Sequence, residues 1–140
     1  MGYGDSANPE LERIAKIVVD CIYTVHRKLG PGLLESVYSI CLAHELRKRG
    51  VKVDREVMLP IIYDDIRLES ALRLDLVVES RIVIEAKAVE KLIPVFDAQL
   101  LTYLKLSGYP LGFLVNFNVP LIKDGLKRII LSAKNDRPIR

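Results

Sequence analysis

Apolar residues recur three and four positions apart from Leu11 to Leu29, through Ile14, Ala15, Val18, Ile22 and Val25, a spacing that gathers them on one stripe of a helix. Asn8-Pro9-Glu10 supplies the start, with Asn8 as N-cap and Pro9 where its missing N–H costs nothing, and Gly30-Pro31 supplies the stop. Beyond the Gly30-Pro31-Gly32 corner, Leu34, Val37, Tyr38, Cys41, Leu42 and Leu46 predict a second helix ending at Arg47-Lys48-Arg49-Gly50. Those basic residues sit where the helix dipole is negative, so capping explains them, with a phosphate contact as the alternative.

From Val51 the pattern changes to that of strands. Segments 53–63 and 66–78 flank the turn signal Asp64-Asp65, and 82–88 follows Glu79-Ser80-Arg81, which predicts a three-stranded antiparallel meander. Pro94 opens a third helix, Val95 to Leu106, that Gly108 ends; Leu111 to Phe117 reads as a buried strand, and Leu126 to Leu131 as a final strand or short helix. The fold class is thus mixed α/β. One domain is expected over residues 1–140, with its core at about 10–132 and polar tails at both ends, since a chain of this size buries one sizeable core.

The alternation also assigns faces. Leu72, Leu74, Leu76 and Val78 are the apolar set of the second strand, leaving Arg73, Asp75 and Val77 opposite; Ile82, Ile84, Ala86 and Ala88 are that of the third, leaving Arg81, Val83, Glu85 and Lys87. Matching the apolar sets sets Val78 against Ile82, Leu76 against Ile84, Leu74 against Ala86 and Asp75 against Glu85. Two acids directly opposed destabilise a sheet unless a cation lies between them. The competing reading is a solvated hairpin face. Gln99 and Tyr103, four residues apart on the following helix, argue against it, because they can be turned toward the same face.

Composition narrows the class without deciding it. Half the residues are hydrophobic and 28% are charged, enough for a core without disulfides. Cys21 and Cys41 form no CxxC or Cys/His cluster and read as buried thiols. No stretch is long and apolar enough to span a membrane and the first residues carry no export pattern, so a cytoplasmic protein is expected. The net charge of +3 is compatible with a phosphate-bearing partner but does not announce one.

Asp75 and Glu85, with the Ala86 backbone carbonyl, offer oxygen ligands suited to Mg2+, which keeps several of its waters; Mn2+ can substitute. A metal so held lowers the pKa of a bound water and offsets phosphate charge, and Lys87 stabilises the charge that develops. That chemistry is phosphodiester hydrolysis.

Asp75, then nine residues, then Glu85-Ala86-Lys87 resembles the PD-(D/E)xK nuclease superfamily. Gly32-Leu33-Leu34-Glu35-Ser36-Val37-Tyr38 resembles the signature of the GxxExxY protein family, and the likeness runs in order through Arg73-Leu74-Asp75, Val83 to Glu90, Ala98 to Lys105 and Leu114 to Asn118. The resemblance implies a restriction-endonuclease-like αβββαβ core with an extra N-terminal helix. It implies a metal site at Asp75 and Glu85, Lys87 as catalytic lysine, and Glu35 as a further acid that reaches the metal through water. It also implies Gln99 as catalytic and Tyr103 as substrate-binding, in a QxxxY element that some nucleases of the superfamily use near the scissile phosphate or the DNA end. Leu74 stands where the superfamily's name has proline.

Several residues keep two readings. Glu35 is either a metal- or water-directed acid or an acid favoured by its helix dipole; Tyr38 is either a core aromatic or a support for Glu35. Arg73 and Arg81 are phosphate contacts or solvated charges, His26 and His44 read as structural or surface, and Asn116 and Asn118 as caps of the fourth strand. The leading function is a metal-dependent nuclease whose partner is nucleic acid, DNA in preference to RNA. The alternatives are a weak or inactive nucleic-acid-binding or assembly module on the same fold, and an interaction subunit in which Ile14, Val18 and Ile22 of the first helix form a homodimer seam.

Overall fold

The computed structural model describes residues 8–131, so the expected polar tails lie outside the described residues. Helix α1, Pro9–Leu29, starts as its sequence dictates: the Asn8 side chain accepts from the Leu11 N–H at 3.1 Å, and Gly30 ends the helix with a φ of 73°. Helix α2 spans Glu35–Lys48. Strands β1, Val53–Tyr63, β2, Ile66–Val78, and β3, Ile82–Lys87, form the antiparallel meander. Helix α3, Pro94–Ser107, stops at the left-handed Gly108 and returns the chain to β4, Leu111–Asn116, which runs parallel to β3. Of the two endings expected for Leu126 to Leu131 the strand is present: β5, Leu126–Ile130, runs antiparallel to β4 and is preceded by a 3-10 turn at Ile122–Gly125 that the sequence pattern does not mark. The sheet order is β1-β2-β3-β4-β5.

Two apolar layers hold this sheet. On one face Leu76, Val78, Ile82, Ile84, Ala86, Phe113 and Val115 pack against the stripe of α1 and the inner face of α2. On the other, Leu72, Leu74, Val77, Val83 and Leu114 pack under Leu100 and Leu104 of α3. Burying β3 on both faces corrects the two-sided reading of that strand: Val83 is fully buried and Glu85 is 6% exposed, because α3 covers what the alternation marks as a polar face. Ile14, Val18 and Ile22 are at most 1% exposed within the first layer, so the expected homodimer seam on α1 is internal packing. Cys21 is buried as expected, whereas Cys41 is only half-buried.

The larger correction lies in β2. Leu72 and Leu74 join the α3 layer while Leu76 and Val78 join the α1/α2 layer, so the alternation slips by one position at Asp75. The partner strand slips with it. Val53 faces the α1/α2 layer but Val57, Leu59 and Ile61 face the α3 layer, and the residue between, Glu56, has a φ of 52°. Arg55 pairs with Leu76 and Val57 with Leu74, so Glu56 stands across from Asp75 and the register survives on both sides. Compensating irregularities in two paired strands therefore reverse the facing of the distal hairpin without shifting it. A positive φ at a non-glycine residue within a strand is strained backbone.

Beyond that point β1 and β2 continue as a two-stranded arm that β3 does not accompany, since its pairing with β2 stops at Leu76 and Ile84. Pro60 sits at an irregularity in the outer strand, and Ile62, Tyr63, Ile66 and Leu68 near the tip are exposed.

Candidate active site

The expected pairings Val78 with Ile82 and Leu76 with Ile84 are present, but the ladder ends before the next two, Leu74 with Ala86 and Asp75 with Glu85. In their place the acids take over the backbone's hydrogen bonds. The Asp75 N–H donates to Glu85 Oε2 at 3.1 Å, and the Ala86 N–H donates to Asp75 Oδ2 at 3.1 Å. Each carboxylate thus satisfies an amide of the opposite strand that the splayed ladder leaves open. The same slip that reverses the facing of β2 opens room between the strands for both acids.

Burial holds both carboxyls above their usual range. Glu85 is pushed up to about 8, first by loss of water and then by the charge of Asp75, against which the Asp75 N–H and Lys87 pull only partly. Asp75 is raised chiefly by burial, while the Ala86 N–H, Arg73 and Lys87 lower it and Glu56 raises it again. Glu35, at the first position of α2, is exposed as a residue, yet its carboxyl is raised by partial loss of water and by Asp75, and it feels Lys87 and Arg73. Glu35 therefore belongs to the cluster.

Lys87 ends β3 with its Nζ 4.6 Å from the centroid of the Phe96 ring on α3, a cation-π contact that fixes the ammonium beside the acids. Arg73 lies 3.3 Å from Glu56 and 3.9 Å from Asp75. From α3, Gln99 hydrogen-bonds the Tyr103 hydroxyl, which burial and the charges of Glu85 and Asp75 raise. Gln99 and Tyr103 are both half-buried over the site, as their spacing predicts. Arg81 does not belong here: it sits in the turn at the opposite end of β3 from Lys87, where its charge is felt by Glu10 of α1.

Two clamps steady the loops that enter the site. Tyr38 stacks on Phe117 at 4.5 Å, donates its hydroxyl proton to Gly30 O at 2.6 Å and accepts from the Leu33 N–H at 3.1 Å. Tyr38 is thus a core aromatic whose hydroxyl is satisfied by the Gly30–Leu33 corner that precedes α2. Asn116, 2% exposed, bonds the Val89 N–H at 3.1 Å and Val89 O at 3.0 Å, while Asn118 reaches Val89 O at 3.4 Å. These asparagines tie the segment after Lys87 to the end of β4. His26 is structural, with Nε2 2.7 Å from Val119 O, and His44 is on the surface. The basic end of α2 is also engaged internally: Arg47 bonds Val53 O, Lys48 pairs with Glu45 and Arg49 with Asp20.

Glu56 and Phe96 escape the sequence reading. The position of Glu56 is recoverable in part, because it lies opposite Asp75 in the hairpin, but nothing in its neighbours marks the backbone slip.

The donor set fits a hard divalent cation. Asp75, Glu85, Glu35 and Glu56 face Arg73 and Lys87, so the fully ionised cluster carries two more negative than positive charges. Among the described residues no group of three or more His, Cys, Asp or Glu is gathered closely enough to hold a metal ion. Two neighbouring carboxylates suit a divalent cation that retains water ligands better than a metal that needs a full protein cage.

A family model described as the PD-(D/E)XK nuclease superfamily matches residues 12–129. No curated protein and no solved structure matches the chain. No helix among the described residues is long and apolar enough to cross a membrane.

Proposed function

The chain belongs to the PD-(D/E)XK nuclease superfamily, and from that premise we propose that it hydrolyses phosphodiester bonds in nucleic acid, DNA in preference to RNA, using Mg2+. The observation that carries this reading is the reciprocal link between Asp75 and Glu85, with Lys87 held beside it on the Phe96 ring. Nucleases of the superfamily generally use divalent metals. The GxxExxY-like run that places Glu35 at the start of α2 supports assignment to that subfamily.

Asp75 and Glu85 are the ligands in this proposal, with the Ala86 carbonyl as a third oxygen and Glu35 acting through water. When bound, the cation supplies neutralising charge and an acidified water. The chain's own groups do the rest. Lys87 donates to the phosphate oxygen on which charge builds, a role that a fixed cation performs without reorganisation during the reaction. Glu35 orients the attacking water, and its raised pKa makes it a competent acceptor of that water's proton. Gln99 and Tyr103 hold the scissile phosphate from the α3 side, while Arg73, an exposed cation at the mouth, contacts the neighbouring phosphate. Incubating the full chain with labelled DNA and RNA in Mg2+ or Mn2+ should give cleavage that chelator abolishes. Equal cleavage by Lys87→Ala would remove the mechanism.

A second reading, a binding module of the same fold that turns over slowly or not at all, is favoured by the lack of a third acid at ligand distance among the described residues. It predicts salt-sensitive binding that survives Asp75→Ala, because lysine and arginine carry the phosphate contacts.

A further inference from the structure

The helices that open onto the site share a departure from local rules that α1 does not. Helix α1 has an asparagine N-cap whose side chain accepts a backbone N–H, but Leu34 and Ile93 occupy the N-cap positions of α2 and α3 without any such bond. Aliphatic residues are poor at this position. Nor do these two compensate by packing: Leu34 is 74% exposed and Ile93 46%, and each has an exposed neighbour, Leu33 and Val95. A residue that neither caps nor packs, repeated on both sides of a polar cluster, is a local inconsistency of the kind that collects at functional sites.

Their placement is held rather than loose. Leu34 immediately precedes Glu35, and its corner is pinned by the Tyr38 hydroxyl bonds to Gly30 and Leu33. Ile93 lies three residues before Phe96, the ring under Lys87, and its carbonyl accepts the Phe96 N–H at 3.0 Å. The loop before it is fixed at Val89 by Asn116. Apolar tips thus flank the acids from the α2 side and from the α3 side.

We propose that Leu34 and Ile93 are specificity-determining residues that hold an unpaired nucleobase beside the scissile phosphate, so that the preferred substrate is single-stranded or locally unpaired nucleic acid. The inference rests on the nuclease reading and names its substrate class. A duplex presents charged phosphates and sugars along its outside, and its apolar base faces are hidden in the stack. An unpaired base exposes that face, and covering it removes apolar area from water on both partners. Arg73 and Lys87 supply the phosphate contacts that keep such a strand in place.

The test is fluorescence anisotropy with the full chain and a labelled oligonucleotide of about twelve residues, a length that covers the usual footprint of one small module. The oligonucleotide is supplied as single-stranded DNA, single-stranded RNA and blunt duplex DNA, with Ca2+ as the divalent ion. Leu34→Ser combined with Ile93→Ser should weaken single-strand binding roughly tenfold and leave duplex binding within about twofold, given the apolar area lost. The arm that weakens, DNA, RNA or both, identifies the sugar. Serine is a good N-cap, so the same variant should melt at or above the wild-type temperature. Leu34→Met with Ile93→Leu keeps both apolar tips and should retain single-strand affinity, which separates the proposed contact from any general disturbance of the loops. Unchanged single-strand binding in the serine variant, or equal losses on strand and duplex, overturns the inference. If the wild type cleaves nucleic acid while these differences are absent, only the inference fails; if it neither binds nor cleaves any of the three, the nuclease reading fails with it.

Discussion

Replacing Glu85 by glutamine should make the metal-free protein's stability far less sensitive to pH. Glu85 ionises at about 8 in the folded chain against a reference of 4.5, so the native state binds a proton that the unfolded chain has released across that interval. Stability from this group is present in full below the lower value and is lost as pH rises through the higher one. With each pH unit between them worth about 1.4 kcal/mol, moving from about pH 5 to about pH 8 should remove roughly 3 kcal/mol from the wild type. Glutamine has the shape to accept the Asp75 N–H but no proton to lose. Its absolute stability also reflects how well the buried amide nitrogen is satisfied, so the informative quantity is the slope. Urea denaturation of both proteins in chelator, at several pH values across that window, gives the two profiles. The wild type should fall steeply and the variant should be nearly flat apart from what other groups contribute; parallel profiles would refute the assignment of a buried, protonated Glu85. Adding Mg2+ at the alkaline end should restore stability to the wild type and much less to the variant, because a cation replaces the proton only where two carboxylates await it.

Lys87→Ala should lower kcat by about a hundredfold or more while leaving the urea midpoint nearly unchanged, because a fixed cation acts on charge developed in the transition state. Asn116→Ala should destabilise the fold by roughly 1–2 kcal/mol, measured by urea denaturation, since it leaves the half-buried Val89 N–H without its partner and the Val89 carbonyl with only the longer bond from Asn118, and it should reduce turnover by loosening the segment after Lys87. Tyr38→Phe keeps the stack on Phe117 but removes both hydroxyl bonds, for a loss of about 1–2 kcal/mol, and amide exchange at Leu33 should quicken.

The elements were legible because their signals are local. Asn8-Pro9 and Gly30 bound α1, Pro94 and Gly108 bound α3, and the hairpin limits at Val53, Tyr63, Ile66 and Val78 match the alternation between turn signals. The register of β2 on β3 also follows from matching apolar sets as far as Leu76 and Ile84. Past that pair the apolar pattern misleads for a definite reason. Unbroken alternation would carry Asp75 onto a polar face, but the strand slips there opposite an irregularity at Glu56, a residue distant in sequence whose backbone conformation has no composition signal. The neighbourhood of the acids survived the error, since the carboxylates replace the ladder bonds that the slip removes. Covering of the third strand by α3 was likewise invisible to periodicity, which sees a polar position in Glu85 but not the helix laid over it.

The reversal of facing at Glu56 and Asp75 also divides the long hairpin into two parts with separate obligations. Residues on the near side, with Arg73 just past the slip, are committed to the buried acids; those further toward the tip answer only to one another and to the flank of α3. Lengthening or trimming the tip by matched pairs of residues leaves the near side untouched, which makes the outer arm a natural graft point for a foreign epitope or label, remote from the chemistry and read by the same paired scaffold.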